Sequence, residues 1–76
     1  MAAITNKADL LRAVQKAAKE SELSVREIEA RSGVAKSVVH RVREAVDDRV
    51  SLESLMALAD TLGVAYQFRN RTRKTG

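Results

Sequence analysis

Apolar residues recur at helical spacing in four stretches of this 76-residue chain, with short polar segments between them. The first stretch follows Asn6, a suitable N-cap, and its apolar positions predict a helix that ends near Lys19 or Glu20. The fourth begins after Ser51, another N-cap residue, and ends at Gly63, a residue typical of helix C-termini. Since the chain contains no proline, the pattern predicts an all-α fold, a small four-helix bundle.

Two short helices are predicted in the middle of the chain, joined by a tight turn. Ser24 and Glu27 form a capping-box pattern, which starts the first of these helices at Val25. Gly33 ends it, because glycine adopts the left-handed conformation without steric cost. The second helix is expected to turn five apolar residues inward, namely Ala35, Val38, Val39, Val42 and Val46.

The outer face of the second of these helices is polar and basic. Residues 34–43 contain no acid, and the side away from the apolar positions is left with Lys36, Ser37, His40, Arg41 and Arg43. A short helix, a glycine turn and a second helix with such a face form the helix-turn-helix arrangement, whose second helix enters the DNA major groove. We therefore expect double-stranded DNA to be the partner.

After the fourth helix the pattern changes from helical to alternating. Val64, Tyr66 and Phe68 alternate with other residues, which predicts a short C-terminal β-strand with one apolar side. A lone strand cannot satisfy its own backbone polar groups, so it either lies along its own bundle or pairs with a second copy. We favour pairing, which makes residues 65–69 a candidate dimerisation strand of a homodimer, with Tyr66 and Phe68 at the interface.

The net charge of +4 is located in the C-terminal tail, where Arg69, Arg71, Arg73 and Lys74 occur without an acid. Such a tail can be a solubilising terminus, a minor-groove arm or a non-specific phosphate contact, and we favour the phosphate contact. The predicted organisation is a flexible N-terminus at 1–5, a DNA-binding domain at 6–64, the candidate strand at 65–69 and a disordered basic tail at 70–76.

Composition argues against several classes of protein. The chain has no cysteine and one histidine, no histidine–carboxylate cluster at metal spacing and no phosphate-binding glycine loop. We therefore expect no enzyme activity, no metal and no cofactor. No apolar run approaches the length of a membrane span, and the N-terminus lacks a signal-peptide pattern. A cytoplasmic location is expected.

The turn and the fourth helix together resemble the phage-repressor and Cro type of helix-turn-helix protein, the Xre family. The resemblance rests on Ile28, the Gly33-Val34 pair, Val39 and Val42, and the run SLESLMALADTLGV at 51–64. It implies a lambda-repressor-like fold and a sequence-specific transcriptional regulator, Cro-like or a small repressor, that acts as a dimer on an operator. The source is then a bacterium or its phage. An antitoxin that binds a toxin partner and autoregulates its operon remains the alternative.

The resemblance also implies roles for individual residues, and it agrees with the outer-face pattern in assigning base contacts to Lys36, Ser37, His40 and Arg41. The alternatives are that His40 is an ordinary surface imidazole and that Arg41 and Arg43 pair with Glu44 or Asp47. Phosphate contacts are expected from Ser24, Arg26, Arg43, Arg69, Arg71, Arg73 and Lys74.

Overall fold

A computed structural model describes residues 4–45 and 47–68 of the chain. These residues form four α-helices, as predicted: α1 is Lys7–Glu20, α2 is Val25–Ser32, α3 is Lys36–Glu44 and α4 is Leu52–Leu62. Residues 1–3, residue 46 and residues 69–76 lie outside the description. The predictions for the extreme N-terminus, for the inward orientation of Val46 and for the basic tail therefore fall outside it as well.

Local side-chain caps determine where three of the four helices begin. The Asn6 side chain accepts a hydrogen bond from the Asp9 amide at 2.9 Å, and the Ser51 hydroxyl accepts one from the Ser54 amide at 3.1 Å. Ser24 caps α2 in the same way. Helix α3 is the exception, because Ala35 at its N-cap position makes no side-chain hydrogen bond. Its position must therefore depend on packing.

One hydrophobic core joins the four helices. Helix α1 packs against α3 and α4, and α2 packs against the same two helices from another side. Burial of apolar surface is the main stabilising contribution in a chain of this size. The largest side chains that are fully buried are Leu10, Leu11, Val14, Ile28, Val39, Val42, Leu55 and Leu58.

The expected inward orientation of Ala35 is wrong. Ala35 is exposed, with φ −55° and ψ 142°, because α3 begins one residue later at Lys36. Ala35 therefore lies in the turn, before the helical periodicity of α3 applies. The preceding residue, Val34, is buried in the core in its place.

The predicted C-terminal strand is absent from the described residues. Val64, Tyr66 and Phe68 are half-buried against the chain's own core, and the Gln67 amide donates a single hydrogen bond to the Ile4 carbonyl at 2.8 Å. One such bond does not make a β-ladder. The apolar side of the segment is satisfied by its own bundle, which is the alternative that the sequence reading did not favour. The homodimer stays a prediction.

Gly33 offers a test of the turn between α2 and α3. Its φ is +78°, and no atom lies within 4 Å of the position that a Cβ would take. Replacement by alanine therefore costs only the left-handed backbone strain, about 1 kcal/mol. We expect Gly33→Ala to lower the free energy of unfolding by this amount in urea denaturation. Gly33→Asn should cost less, because asparagine tolerates this conformation. Equal stability of both variants and the unmodified chain would contradict this explanation.

Candidate nucleic-acid interface

The connection between α2 and α3 is held by the Ser32 hydroxyl. It donates a hydrogen bond to the Ile28 carbonyl at 2.6 Å and accepts one from the Val34 amide at 3.1 Å. The Gly33 amide also donates to the Glu29 carbonyl at 2.9 Å. These bonds fix the path of the three residues that separate the two helices. The angle at which α3 leaves α2 is thereby defined.

The inner face of α3 is anchored by two valines. Val39 and Val42 are fully buried in the core, and Val38 is half-buried beside them. A nine-residue helix is too short to be stable in isolation, so this burial is what holds α3 in place. Because the two anchors share one side of the helix, the opposite side must face solvent.

The four residues predicted to contact bases are all exposed on that opposite side, namely Lys36, Ser37, His40 and Arg41. They occupy the first two turns of α3, and the first turn contains no acid. Glu44, the last residue of the helix, is exposed as well and adds a negative charge at its C-terminal end. Lys36 lies in the first turn of α3 and Arg41 and Arg43 lie in its last turn, so positive charge is present at both ends of the helix.

Three of these residues line a common cleft. Lys36, Ser37 and His40 enclose an open cavity of about 600 Å³ together with Val25, the first residue of α2. Val25 was not predicted as a site residue, because its sequence position indicated only a helix start. Its proximity to α3 follows from the turn geometry and has no signal in the local sequence. Arg41 does not line this cleft.

Arg41 instead lies beside Asp47, in the connection between α3 and α4. Its Nε atom is 3.8 Å from Asp47 Oδ2, so Asp47, one of the two acids considered from the sequence, forms an ion pair with Arg41. Asp47 also binds Arg49, whose Nε and Nη2 atoms each donate a hydrogen bond to the carboxylate at 3.1 Å. Sequence reasoning missed Arg49. The Asp-x-Arg spacing was a usable signal, because aspartate often accepts a bond from the amide two residues later.

The predicted phosphate contacts of the folded domain lie around α3. The Ser24 hydroxyl accepts from the Glu27 amide at 3.1 Å, while the Ser24 amide donates to the Glu27 carboxylate at 3.0 Å. The Ser24 hydroxyl can still donate its proton to a phosphate. The neighbouring Glu27 carboxylate, however, repels a phosphate because both are negatively charged. Arg26 is exposed, whereas Arg43 is half-buried, with an Nε atom that has no hydrogen-bond partner among the described residues. The tail cations Arg69, Arg71, Arg73 and Lys74 lie outside the description.

Comparison with known families adds to this geometry. Residues 1–69 match a family described as helix-turn-helix domain. The chain belongs to this helix-turn-helix family. Comparisons with curated proteins and with solved structures found no match.

The family supports a DNA-binding function for the helix-turn-helix domain. It is broader than the phage-repressor and Cro type, so that narrower assignment stays a prediction. Two further observations concern the described residues alone. None of their helices is long and apolar enough to cross a membrane. They also contain no group of three or more histidine, cysteine or acidic residues that could hold a metal ion.

The hydrogen bonds around Asp47 predict an unusual titration. Bonds from the side chain and the backbone amide of Arg49 lower the pKa of the Asp47 carboxyl from 3.8 to about 2. The side chain is 14% exposed. A lowered pKa means that the fold favours the ionised form. The ionised Asp47 carboxylate therefore stabilises the folded protein above pH 3.8, and this stabilisation is lost as the pH falls through about 2.

We expect Arg49→Gln to raise the Asp47 pKa towards 3.8, because it removes both guanidinium bonds and leaves the backbone bond. Arg41→Gln should raise it less, because the 3.8 Å ion pair contains no hydrogen bond. Titration of the carboxyl carbon signal by NMR measures both values. The same pKa in the Arg49→Gln variant and in the unmodified protein would contradict the assigned cause.

Proposed function

We propose that this protein is a sequence-specific DNA-binding transcriptional regulator, Cro-like or a small repressor, that acts as a dimer on an operator in the bacterial cytoplasm. The observation that supports it best is the solvent face of α3, where Lys36, Ser37, His40 and Arg41 are exposed together. This face stands on a helix whose other side is buried at Val39 and Val42. The helix-turn-helix family supports DNA as the partner.

Helix α3 has suitable dimensions for the major groove. An α-helix with its side chains is about 10–12 Å across, and the major groove is about 12 Å wide, so α3 can enter it. In proteins of this arrangement, the N-terminal part of the second helix contacts base edges. Arg41 offers two parallel donors to O6 and N7 of guanine, and Lys36 offers a single charged donor. Ser37 and His40 supply shorter polar contacts.

Backbone contacts would surround these base contacts. Arg26 lies on α2 and Arg43 on the flank of α3, and the Ser24 hydroxyl stands at the start of α2. We assign phosphate contacts to all three and non-specific phosphate attraction to the basic tail. The dimer would place two copies of α3 about one DNA turn apart, at half-sites centred 10–10.5 base pairs from each other. Tyr66 and Phe68 are only partly buried against the chain's own core, and we propose their remaining surface as its interface.

The first test is selection of bound DNA from a random duplex pool, with the selected sequences measured again at several salt concentrations. We expect an inverted repeat, because a two-fold symmetric dimer binds two related half-sites. A single enriched half-site would keep the DNA-binding function and remove the dimer. Weak, strongly salt-dependent binding without enrichment would contradict the proposal. It would favour the alternative, an antitoxin that binds a toxin partner.

Arg41→Ala tests the base-reading role directly. The variant should weaken operator binding by about 1–3 kcal/mol and relax the preference at one base pair, because a bidentate arginine contact is lost. Deletion of residues 70–76 is the control, since it should weaken operator and random DNA about equally. Fluorescence anisotropy with both kinds of DNA measures these changes. An equal loss on operator and random DNA for Arg41→Ala would show that Arg41 contacts only phosphate.

A further inference from the structure

Asp47 lies between two arginines at the C-terminal side of α3, and it is the most sheltered member of this group. Its side chain is 14% exposed, against 51% for Arg41 and 82% for Arg49. Among the described residues, Asp47 provides the carboxylate that pairs with Arg41. The carboxylate that pairs with Arg41, the proposed base-reading residue, therefore belongs to the connection between α3 and α4 and is largely shielded from solvent.

Arg49 keeps the Asp47 carboxylate in place. Asp47 Oδ1 accepts hydrogen bonds from the Arg49 amide at 3.0 Å and from Arg49 Nε at 3.1 Å, while Oδ2 accepts one from Arg49 Nη2 at 3.1 Å. Three bonds to one carboxylate leave it little rotational freedom. A second observation concerns the backbone next to it, where the Asp48 carbonyl accepts a bond from Lys7 Nζ at 2.7 Å. The loop is thus tied to α1 as well.

The carboxylate approaches Arg41 from one particular edge. The atom nearest to it is Nε, at 3.8 Å from Oδ2, which is the inner edge of the guanidinium. Arginine carries its donors in a rigid planar fork, in which Nε shares one edge with a single terminal amino group and the two terminal amino groups together form another edge. A carboxylate beside Nε therefore leaves the edge formed by both terminal amino groups open. Those two groups are a suitable pair for the O6 and N7 atoms of guanine.

We infer that Asp47 is a positioning residue that orients Arg41 for base recognition and thereby determines specificity at one base pair. The inference rests on the proposed DNA-binding function. Holding a flexible side chain near its binding geometry before DNA arrives reduces the entropy lost on binding. The same carboxylate also repels phosphates, which disfavours contacts of Arg41 with the DNA backbone in place of a base.

The chain provides a matched control in the adjacent acid. Asp47→Asn and Asp48→Asn each remove one negative charge from neighbouring positions of the same loop. Asparagine at 47 keeps an oxygen that can accept the Arg49 amide bond, so the turn is preserved. Asp48 is exposed and makes no ion pair with Arg41 in the described part of the chain. Its backbone bond to Lys7 does not involve the side chain.

Selection from a random duplex pool is carried out with the unmodified chain and both variants. Both should gain affinity for random DNA by a similar factor, because each removes one negative charge. Only Asp47→Asn should also lower the preference for the base at the position that Arg41→Ala identifies. We expect this preference to fall by about threefold to tenfold, which is a part of the discrimination that a full bidentate contact provides. Loss of preference together with a gain in overall affinity is a combination that simple damage to the fold does not produce.

A measurement without DNA tests the contact itself. The Nε–H signal of Arg41 in a 15N NMR spectrum should shift in Asp47→Asn, because the carboxylate 3.8 Å from Nε loses its charge, and it should shift much less in Asp48→Asn. An Arg41 signal that does not respond to Asp47→Asn would overturn the inference without any reference to DNA binding.

The DNA results separate the inference from the function on which it rests. If the unmodified chain selects a sequence and Asp47→Asn behaves like Asp48→Asn, the positioning role is wrong and the DNA-binding function stands. If Asp47→Asn sharpens the base preference, Asp47 is a competitor of DNA for Arg41, which also overturns the inference. If the unmodified chain selects nothing, both fail together, because there is no base contact for Asp47 to position.

Discussion

The burial of Val39 and Val42 is the constraint on which the rest of this small domain depends. Helix α3 has only nine residues and no side-chain cap at its N-terminus, so local interactions alone cannot keep it folded. The two valines attach it to the core, where both are fully buried. They also determine its rotation about its own axis. The polar face that we assign to DNA is therefore a consequence of how the opposite face packs.

The two ends of α3 are defined by different means. At its start, the Ser32 hydroxyl and the left-handed Gly33 fix the turn from α2, and both devices act within a few residues. Beyond its end, in the connection to α4, the Asp47 carboxylate forms ion pairs with both Arg49 and Arg41. The turn at the N-terminal end thus sets the direction of α3, while Asp47 beyond the C-terminal end sets the surroundings of the exposed Arg41 side chain.

The C-terminal segment shows how a correct pattern can lead to a wrong element. Val64, Tyr66 and Phe68 do share one apolar side, as their alternation indicates. That side is half-buried against the chain's own core, with a single backbone bond from Gln67 to Ile4. Alternation reports only that one side of an extended segment is covered. It contains no information on whether the covering surface belongs to the same chain or to a second one.

Most of the helices could be predicted from the sequence alone, because their starts and ends depend on interactions within three or four residues. The caps at Asn6, Ser24 and Ser51 are of this kind, and so is the exposed basic face of α3, which follows from helical periodicity. Tertiary structure alone decided that Val25 shares a cleft with His40 and that Asp47 meets Arg41. These contacts join separate elements, so they depend on loop paths and packing angles. Local hydrogen bonds at Ser32 and Gly33 can fix one turn, but which side chains meet across two elements depends on how the elements pack, and this is settled only when the whole core is assembled.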